Sequence, residues 1–200
     1  MSAGDKEATG ATPPARKPRA DARRNRELLL KTARAAFTEV GVDVSLDEIA
    51  RRAGVGIGTL YRHFPTRDAL IEAVYRHGVD ELAGAATRLL AALSPGDALH
   101  EWMRLFVDYI ATKKVIAPAL GSIIDGGPEL KAYSVGRLSD ALALLVARAS
   151  ACGDIRADVD PVDLLRALFG FTFGNAGPDW RESALRLIDI LMDGLRRHRG

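Results

Sequence analysis

Apolar residues recur every three or four positions along most of the sequence, and glycine or proline interrupts the pattern at intervals. This spacing places apolar side chains on one face of successive helices, whereas a half-buried strand would require strict alternation. The interruptions fall at Gly41, at Pro65 and at polar segments such as "SPGD" and "CGDIRADVDP". We therefore predict an all-α fold of about nine helices.

The predicted helices form a small head and a larger body. The head has three helices: one that ends at Gly41, one that begins after Ser45, and one over about 57–64. A fourth helix begins at Thr66 and links the head to the body. The remaining helices are predicted at 97–112, 115–124, 128–152, 161–174 and 179–197.

Local signals support several of these boundaries. Ser45 is a predicted N-cap, and Glu48 three residues later completes a capping box. Within the body, Pro118 and Gly121 are expected to break or bend the short helix at 115–124.

Composition excludes several classes of protein. The 200 residues are 48% hydrophobic and 27% charged, which is typical of a soluble globular protein with a substantial core. No apolar run approaches the roughly 18 residues of a membrane span, and we expect no membrane association. The amino-terminal segment lacks the apolar core of a signal peptide, which predicts a cytoplasmic protein. Cys152 is the single cysteine, and we expect it to be a buried small residue at a helix end.

The sequence offers little support for catalysis. Its four histidines are scattered and do not share a metal-ligand spacing, and no serine or cysteine lies on a recognisable nucleophile elbow. We therefore predict neither an enzyme nor a bound metal or cofactor.

Positive charge is concentrated near the amino terminus. Residues 16–76 contain 13 Lys and Arg against 8 Asp and Glu, whereas residues 77–200 contain 14 against 16. Residues 1–20 are rich in Ala, Pro, Gly and Thr, and we predict a disordered basic arm there. This distribution is expected of a chain whose amino-terminal part meets a polyanion.

The segment "AGVGIGTLYRHF" at 53–64 decides between two kinds of site. A dinucleotide-binding loop would follow a strand, but a predicted amphipathic helix precedes this segment. In a helix-turn-helix, Gly54 ends the second helix in a left-handed conformation and Gly56 occupies the N-cap of the third. Gly58 then lets the backbone approach a partner surface, while Leu60 points into the core. The context favours the helix-turn-helix, whose last helix enters the DNA major groove.

The exposed face of this third helix suits DNA. Thr59 and Tyr61 carry hydroxyl groups that can bond phosphate oxygens, and His63 can donate to phosphate. Arg62 can bind a guanine edge through two hydrogen bonds. Arg67 opposes the dipole of the fourth helix, and a nearby phosphate would explain it.

The stretch from "AFTEVG" to "LIEAV", residues 36–74, resembles the TetR-type transcriptional regulators, above all in "IARRAGVGIGTLYRHFPTRDAL". The resemblance implies a DNA-binding head over 21–65 and a ligand-binding and dimerisation domain over 66–200. The residues assigned to DNA binding are Ser45, Gly58, Thr59, Tyr61, Arg62, His63 and Arg67. Gly56 and Ile57 depart from the Ser-Lys pair frequent in the family, and the basic arm can supply the missing charge.

The resemblance also implies that the last two helices form a dimer interface. Apolar residues recur at helical spacing in both helices. Residues assigned to this interface are Leu165, Phe169, Phe173, Leu187 and Leu191. The two helices could bury their apolar faces against a second copy or within one chain. Gly170 and Gly174 would either permit close approach of helices or simply weaken the helix.

A second apolar cluster lies in the body, and its role stays open between a packed core and a ligand pocket. Trp102, Phe106 and Tyr109 form one stripe, and Asp125 and Tyr133 are candidate polar contacts for a ligand.

The predicted function is that of a homodimeric repressor that leaves a palindromic DNA operator when a small molecule binds. One alternative is a DNA-binding activator, or a regulator that a protein partner controls. A sealed core around Trp102 and Phe106 would favour this alternative. A small-molecule enzyme or carrier is a more distant alternative.

Overall fold

The computed structural model describes residues 17–124, 128–173 and 177–196. Within these ranges the fold is all-α, with eight helices, and its one β-type pairing is a single antiparallel bridge between Ile155 and Arg196. The helices are α1 (Lys17–Val40), α2 (Leu46–Arg52), α3 (Ile57–His63), α4 (Arg67–Ala92), α5 (Pro95–Ile124), α6 (Pro128–Ala151), α7 (Pro161–Phe173) and α8 (Trp180–Leu195).

Helices α1 to α3 form the head around a small apolar core. Phe37 of α1, Ile49 of α2, and Leu60 and Phe64 at α3 are all buried there. The other end of the head continues into the body, because α1 also packs against α4 and α5. The head is therefore joined to the body through α1, while α3 packs on α2.

The body is built around the antiparallel pair α4 and α5. Helix α6 packs on both of them, while α7 and α8 cover the remaining side of α5. The indole Nε1 of Trp102 on α5 donates to the carbonyl oxygen of Leu82 on α4 at 2.8 Å. This bond satisfies the one polar atom of a fully buried ring.

Helix α5 corrects the prediction of two helices at 97–112 and 115–124. The chain is helical throughout Pro95–Ile124, with Pro118 inside the helix. The apolar face continues across the expected break, because Ile110, Ile116 and Leu120 are all buried. Their packing outweighs the roughly 3 kcal/mol that an interior proline costs a helix.

Three smaller expectations also need correction. Residues 17–20 of the predicted disordered arm begin α1, while residues 1–16 lie outside the described part of the chain. Only the serine half of the capping box forms, because Arg51 and Arg52 bind both carboxylate oxygens of Glu48. Cys152 is exposed rather than buried, since the chain leaves α6 one residue before it.

No helix among the described residues has the length and apolar character that crossing a membrane requires.

Candidate nucleic-acid interface

The turn between α2 and α3 is formed by backbone geometry that the glycines allow. Ser45 Oγ accepts a hydrogen bond from the backbone N–H of Glu48 at 3.1 Å and so caps the start of α2. Gly54 has φ +67°, the left-handed conformation predicted for the end of this helix. The next residue, Val55, donates its N–H to the carbonyl oxygen of Ala50 at 3.0 Å. The chain then turns directly into α3.

Helix α3 is held by its inner face alone. Leu60 and Phe64 are buried against α1 and α2, and Ile57 is half-buried beside them. Gly56 is the N-cap, as predicted, and no side chain bonds the first turn. The short helix is therefore positioned by apolar packing, while its opposite face is open.

That open face carries the side chains predicted to read DNA. Gly58, Tyr61 and Arg62 are exposed, and Tyr61 keeps 48% of its surface in water. Thr59 and His63 flank them and are partly exposed. An exposed tyrosine between an arginine and a threonine offers one aromatic surface, several donors and a positive charge to an approaching polyanion.

Arg62 is already oriented in the free protein. Its Nη2 donates to Thr59 Oγ1 at 2.9 Å, one helical turn earlier. The bond uses one of the five N–H groups of the guanidinium and leaves the others available. The sequence pattern assigned the two residues to different DNA atoms and missed this contact between them.

Gly56, the N-cap of α3, and Gly58 in its first turn both face open space. A Cβ atom built at Gly56 or at Gly58 would meet no atom of the chain within 4 Å. Packing within the chain therefore gives no reason for glycine at either position. At Gly58 the missing side chain leaves the backbone of the first turn free to approach an external surface closely.

Arg67 has an intrachain role that the sequence did not reveal. Its Nη1 donates to the carbonyl oxygen of Val42 at 2.6 Å, which ties the start of α4 to the turn between α1 and α2. Thr66 caps the same helix by accepting from the N–H of Ala69 at 3.0 Å. The contact with Val42 accounts for a basic residue at an unfavourable end of the helix dipole.

A cluster of charges surrounds Glu48 on the surface of the head. Hydrogen bonds from Arg51, and then from Arg52, lower the pKa of the Glu48 carboxyl group from 4.5 to about 2. Arg52 also contacts Glu39 of α1 at 2.5 Å, so the cluster ties α2 to α1.

The basic start of α1 lies beside the head. Arg23 and Arg24 are largely exposed, and their contacts with Glu27 and Asp21 are long, at 3.7 and 3.6 Å. Arg26 is anchored differently, because its guanidinium lies 5.3 Å from the centre of the Phe64 ring. The charge that Gly56 and Ile57 do not supply is therefore available from α1.

Comparison with known proteins agrees with this arrangement in both halves of the chain. The family model described as "Bacterial regulatory proteins, tetR family" matches residues 29–74. The model described as "Transcriptional regulator SbtR-like, C-terminal domain" matches residues 94–197, more than half of the chain. The chain belongs to the TetR family of transcriptional regulators.

Solved structures and curated relatives support the assignment to the TetR family. The TetR regulator SCO0520 from Streptomyces coelicolor is 43% identical, with a TM-score of 0.79 over 86% of this chain and 99% of its own. A TetR regulatory protein from Mycobacterium vanbaalenii is 37% identical, with a TM-score of 0.73 over 90% and 99%. An HTH-type transcriptional regulator of Staphylococcus aureus (strain USA300) is 32% identical over 110 residues, which span 54% of this chain and 58% of that protein.

The described residues among those predicted to line a ligand pocket do not line one cavity in this TetR protein. Trp102 and Phe106 are sealed in the core, while Tyr109 lies at the edge of a cavity between α4 and α5. Tyr133 lies elsewhere, donating its hydroxyl to Asp80 at 2.6 Å between α6 and α4. Asp125 lies outside the described residues.

Some of the predicted interface residues pack inside their own chain, whereas others are partly exposed. Leu165 is buried within its own chain, and Phe169 packs edge-on against Phe106 with ring centres 5.1 Å apart. Leu187 and Leu191 are partly exposed. The side chain of Phe173 lies outside the described residues.

The apolar side chains that α7 and α8 do expose were missed. Val162 keeps 48% of its surface in water and Ile190 keeps 67%. Each lies three residues from a predicted interface residue, Leu165 and Leu187, on a neighbouring part of the same helix. The helical period alone could not say which of the two apolar positions would face the core.

Proposed function

We propose that this TetR-family regulator binds an inverted-repeat DNA operator as a homodimer and represses transcription until a small molecule releases it. The observation that carries the proposal is the open face of α3, where Gly58, Tyr61 and Arg62 have no intrachain packing role. One α3 helix from each protomer would enter successive major grooves about 34–36 Å apart.

Within this proposal each residue has a stated part. Gly58 and Arg62 approach the base edges, and Arg62 is oriented by Thr59. The phosphate contacts are assigned to Thr59, Tyr61, His63 and Arg67, and Ser45 at the start of α2 is also assigned to DNA binding. The contact of Arg67 with Val42 leaves other donors of its guanidinium for this role. DNA binding rather than catalysis is thus the proposed activity, and the division into a head over 21–65 and a body over 66–200 remains a prediction.

Selection from random duplex DNA with the full-length protein, at two salt concentrations, tests operator binding. We expect an enriched inverted repeat that Tyr61→Ala and Arg62→Ala each abolish. Leu28→Ala on α1 provides a control, because Leu28 is an exposed apolar residue outside α3. Sequence-independent binding that falls steeply with salt would contradict the proposal, since it would show phosphate contact without base recognition.

We further propose that α7 and α8 form the homodimer interface. A groove of about 300 Å³ lies between these helices, with Leu164, Ala167 and Leu191 among its walls, and Val162 and Ile190 are exposed on the same two helices. A second copy of the chain, related to the first by a two-fold axis, would cover these apolar surfaces.

Sedimentation velocity with Ile190→Glu tests this interface, and Leu144→Glu on α6 is the matched control. Leu144 is 40% exposed, so both changes place a charge on an accessible apolar site. We expect Ile190→Glu to be monomeric and Leu144→Glu to remain dimeric. If only Leu144→Glu on α6 made the protein monomeric, the proposal that α7 and α8 form the interface would be wrong.

One observation favours a second candidate, a TetR-family regulator without a small-molecule inducer, which acts as an activator or is controlled by a protein partner. Trp102 and Phe106 have no solvent-exposed surface, and their ring centres lie 6.1 Å apart. Any ligand that enters without unfolding this core must bind at its edge.

A further inference from the structure

A cavity of about 250 Å³ lies between α4 and α5, where α1 of the head meets the body. Leu82, Ala85, Leu105 and the ring of Tyr109 form its apolar walls. Arg34, Glu81 and Asp108 are shared between this cavity and a wider surface groove along α1, which provides a route of entry. Its volume lies just below the range of pockets that bind drug-sized molecules, so the cavity fits a smaller ligand.

Most charges at the cavity are already compensated. Glu81 is paired with Arg34, whose Nη1 lies 3.0 Å from its Oε2. Asp108 is bound by Arg181 of α8. The remaining charged group in the lining is Arg88, an exposed residue at the rim, which has no carboxylate within 4 Å in the described part of the chain. The rim of the cavity therefore carries one arginine that no carboxylate pairs.

The Arg88 guanidinium is held beside the cavity by a hydrogen bond within α4. Arg88 Nη2 donates to the carbonyl oxygen of Glu81 at 3.2 Å, so the side chain folds back along α4. It crosses Gly84, where an added Cβ would come within 3.1 Å of Nη1. An added side chain at 84 would make the guanidinium shift by a few tenths of an ångström, which the end of an exposed arginine side chain can do. One N–H group is used in this bond, and the others can bind an anion.

We propose that this cavity binds a small carboxylic acid with an apolar body. Its carboxylate pairs with Arg88, and its apolar part lies against Leu82, Leu105 and Tyr109. A carboxylate suits the site because a charge-assisted bond to guanidinium is stronger than a bond to a neutral oxygen. The inference names the ligand class for the proposed ligand-responsive regulator and rests on that function for its biological meaning.

The position of the cavity provides a path to the head. Arg34 belongs to α1, and besides Glu81 it binds Thr112 of α5 through Nε at 3.2 Å. The lining of the cavity therefore includes residues of α1, α4 and α5. It shifts the head only to the extent that its affinity differs between the DNA-bound and released arrangements.

Calorimetric titration of the full-length protein with octanoate, in the absence of DNA, tests the site. Octanamide has the same apolar body without the charge. We expect octanoate to bind at least about 10-fold more tightly, the difference that one charge-assisted bond typically makes. Equal binding of the amide, or no octanoate binding at millimolar concentrations, would overturn the proposal.

Variants locate the binding. Arg88→Met keeps the apolar stem and removes the charge. It should weaken octanoate binding by about 10-fold. Arg148→Met on α6 is the matched control, because Arg148 is exposed and lies outside the cavity lining. Unchanged affinity in Arg88→Met, or an equal loss in Arg148→Met, would place the octanoate elsewhere.

Failure of this inference is distinguishable from failure of the proposed function. Binding is measured without DNA, whereas operator release is measured on the selected duplex. A protein that selects an operator but ignores octanoate contradicts the cavity assignment alone. A protein that binds octanoate through Arg88 but selects no operator contradicts the proposed function alone.

Discussion

Helix α3 and the aromatic segment of α5 both carry ring side chains at helical spacing, yet their surroundings are opposite. On α5, Trp102, Phe106 and Tyr109 are enclosed by neighbouring helices and contact one another. On α3, Phe64 follows the helix into the core while Tyr61 stands in water. The same residue types therefore stabilise the body in one region and are available to a partner in the other.

Truncating one ring in each region should produce the largest difference. Phe106 contacts Trp102, Tyr109 and Phe169, with ring centres 5.1 to 6.1 Å apart. Phe106→Ala should lower the free energy of unfolding by about 3–5 kcal/mol, because it removes buried surface and leaves a cavity. Tyr61→Ala should change it by less than about 0.5 kcal/mol. Urea denaturation measures both, and a large loss in Tyr61→Ala would show that α3 depends on its outer face for stability.

Replacing one glycine in the head and one in the body should change the free energy of unfolding in opposite directions, by less than the ring truncations. Gly54→Ala should cost about 1–2 kcal/mol, because φ +67° strains a residue with a Cβ atom. Gly78→Ala in α4 should instead stabilise by about 0.5–1 kcal/mol. Its new methyl group would lie 3.6 Å from Tyr109 Cδ2, an ordinary contact.

Thermal or urea unfolding of the two glycine variants, each measured against the wild-type chain, distinguishes these cases. Nothing in the chain lies within 4 Å of a Cβ at Gly54, so any cost there comes from backbone conformation. If both variants were stabilised, the turn before α3 would not require the left-handed conformation.

The smallest expected effect is the pH dependence of stability that comes from surface carboxyl groups in the two regions. Glu48 in the head has a pKa lowered to about 2 by hydrogen bonds from Arg51 and Arg52. Asp158 in the body has a pKa lowered by its hydrogen bond from Arg156. Because the folded-state pKa of Glu48 is below its ordinary value, its contribution to stability is complete above about pH 4.5. That contribution is lost as the pH falls toward about 2.

An NMR titration of the side-chain carboxyl carbons checks this assignment. Arg51→Gln should raise the pKa of Glu48 and leave that of Asp158 unchanged, because the two clusters lie in different parts of the molecule. An unmoved Glu48 would mean that Arg51 does not hold this carboxylate in solution.

Local features of the fold were predictable because each depends on backbone contacts within about four residues. Gly41 and Gly54 adopt positive φ, Ser45 and Thr66 cap their helices, and Gly56 begins α3. The open face of α3 followed from the same reasoning, since a helix of seven residues can bury only one narrow side.

Features that depend on distant partners were not predictable in this way. Pro118 stays inside α5 because the other helices cover the apolar residues on both sides of it. Arg67 contacts Val42 across 25 positions of the chain, and Leu165 rather than Val162 faces the core. No periodic pattern contains the identity of the opposite helix.

The amino-acid sequence by itself determined most of the helices, the N-caps at Ser45, Gly56 and Thr66, and the residues that α3 presents, because short-range hydrogen bonds and helix period decide those. Only the tertiary structure decided that Trp102 and Phe106 are core and that Val162 and Ile190 remain exposed. It also decided that the cavity beside Arg88 lies where α1 meets α4 and α5. Burial and charge compensation are set by whichever groups approach from elsewhere in the chain, and those approaches exist only after the helices have packed.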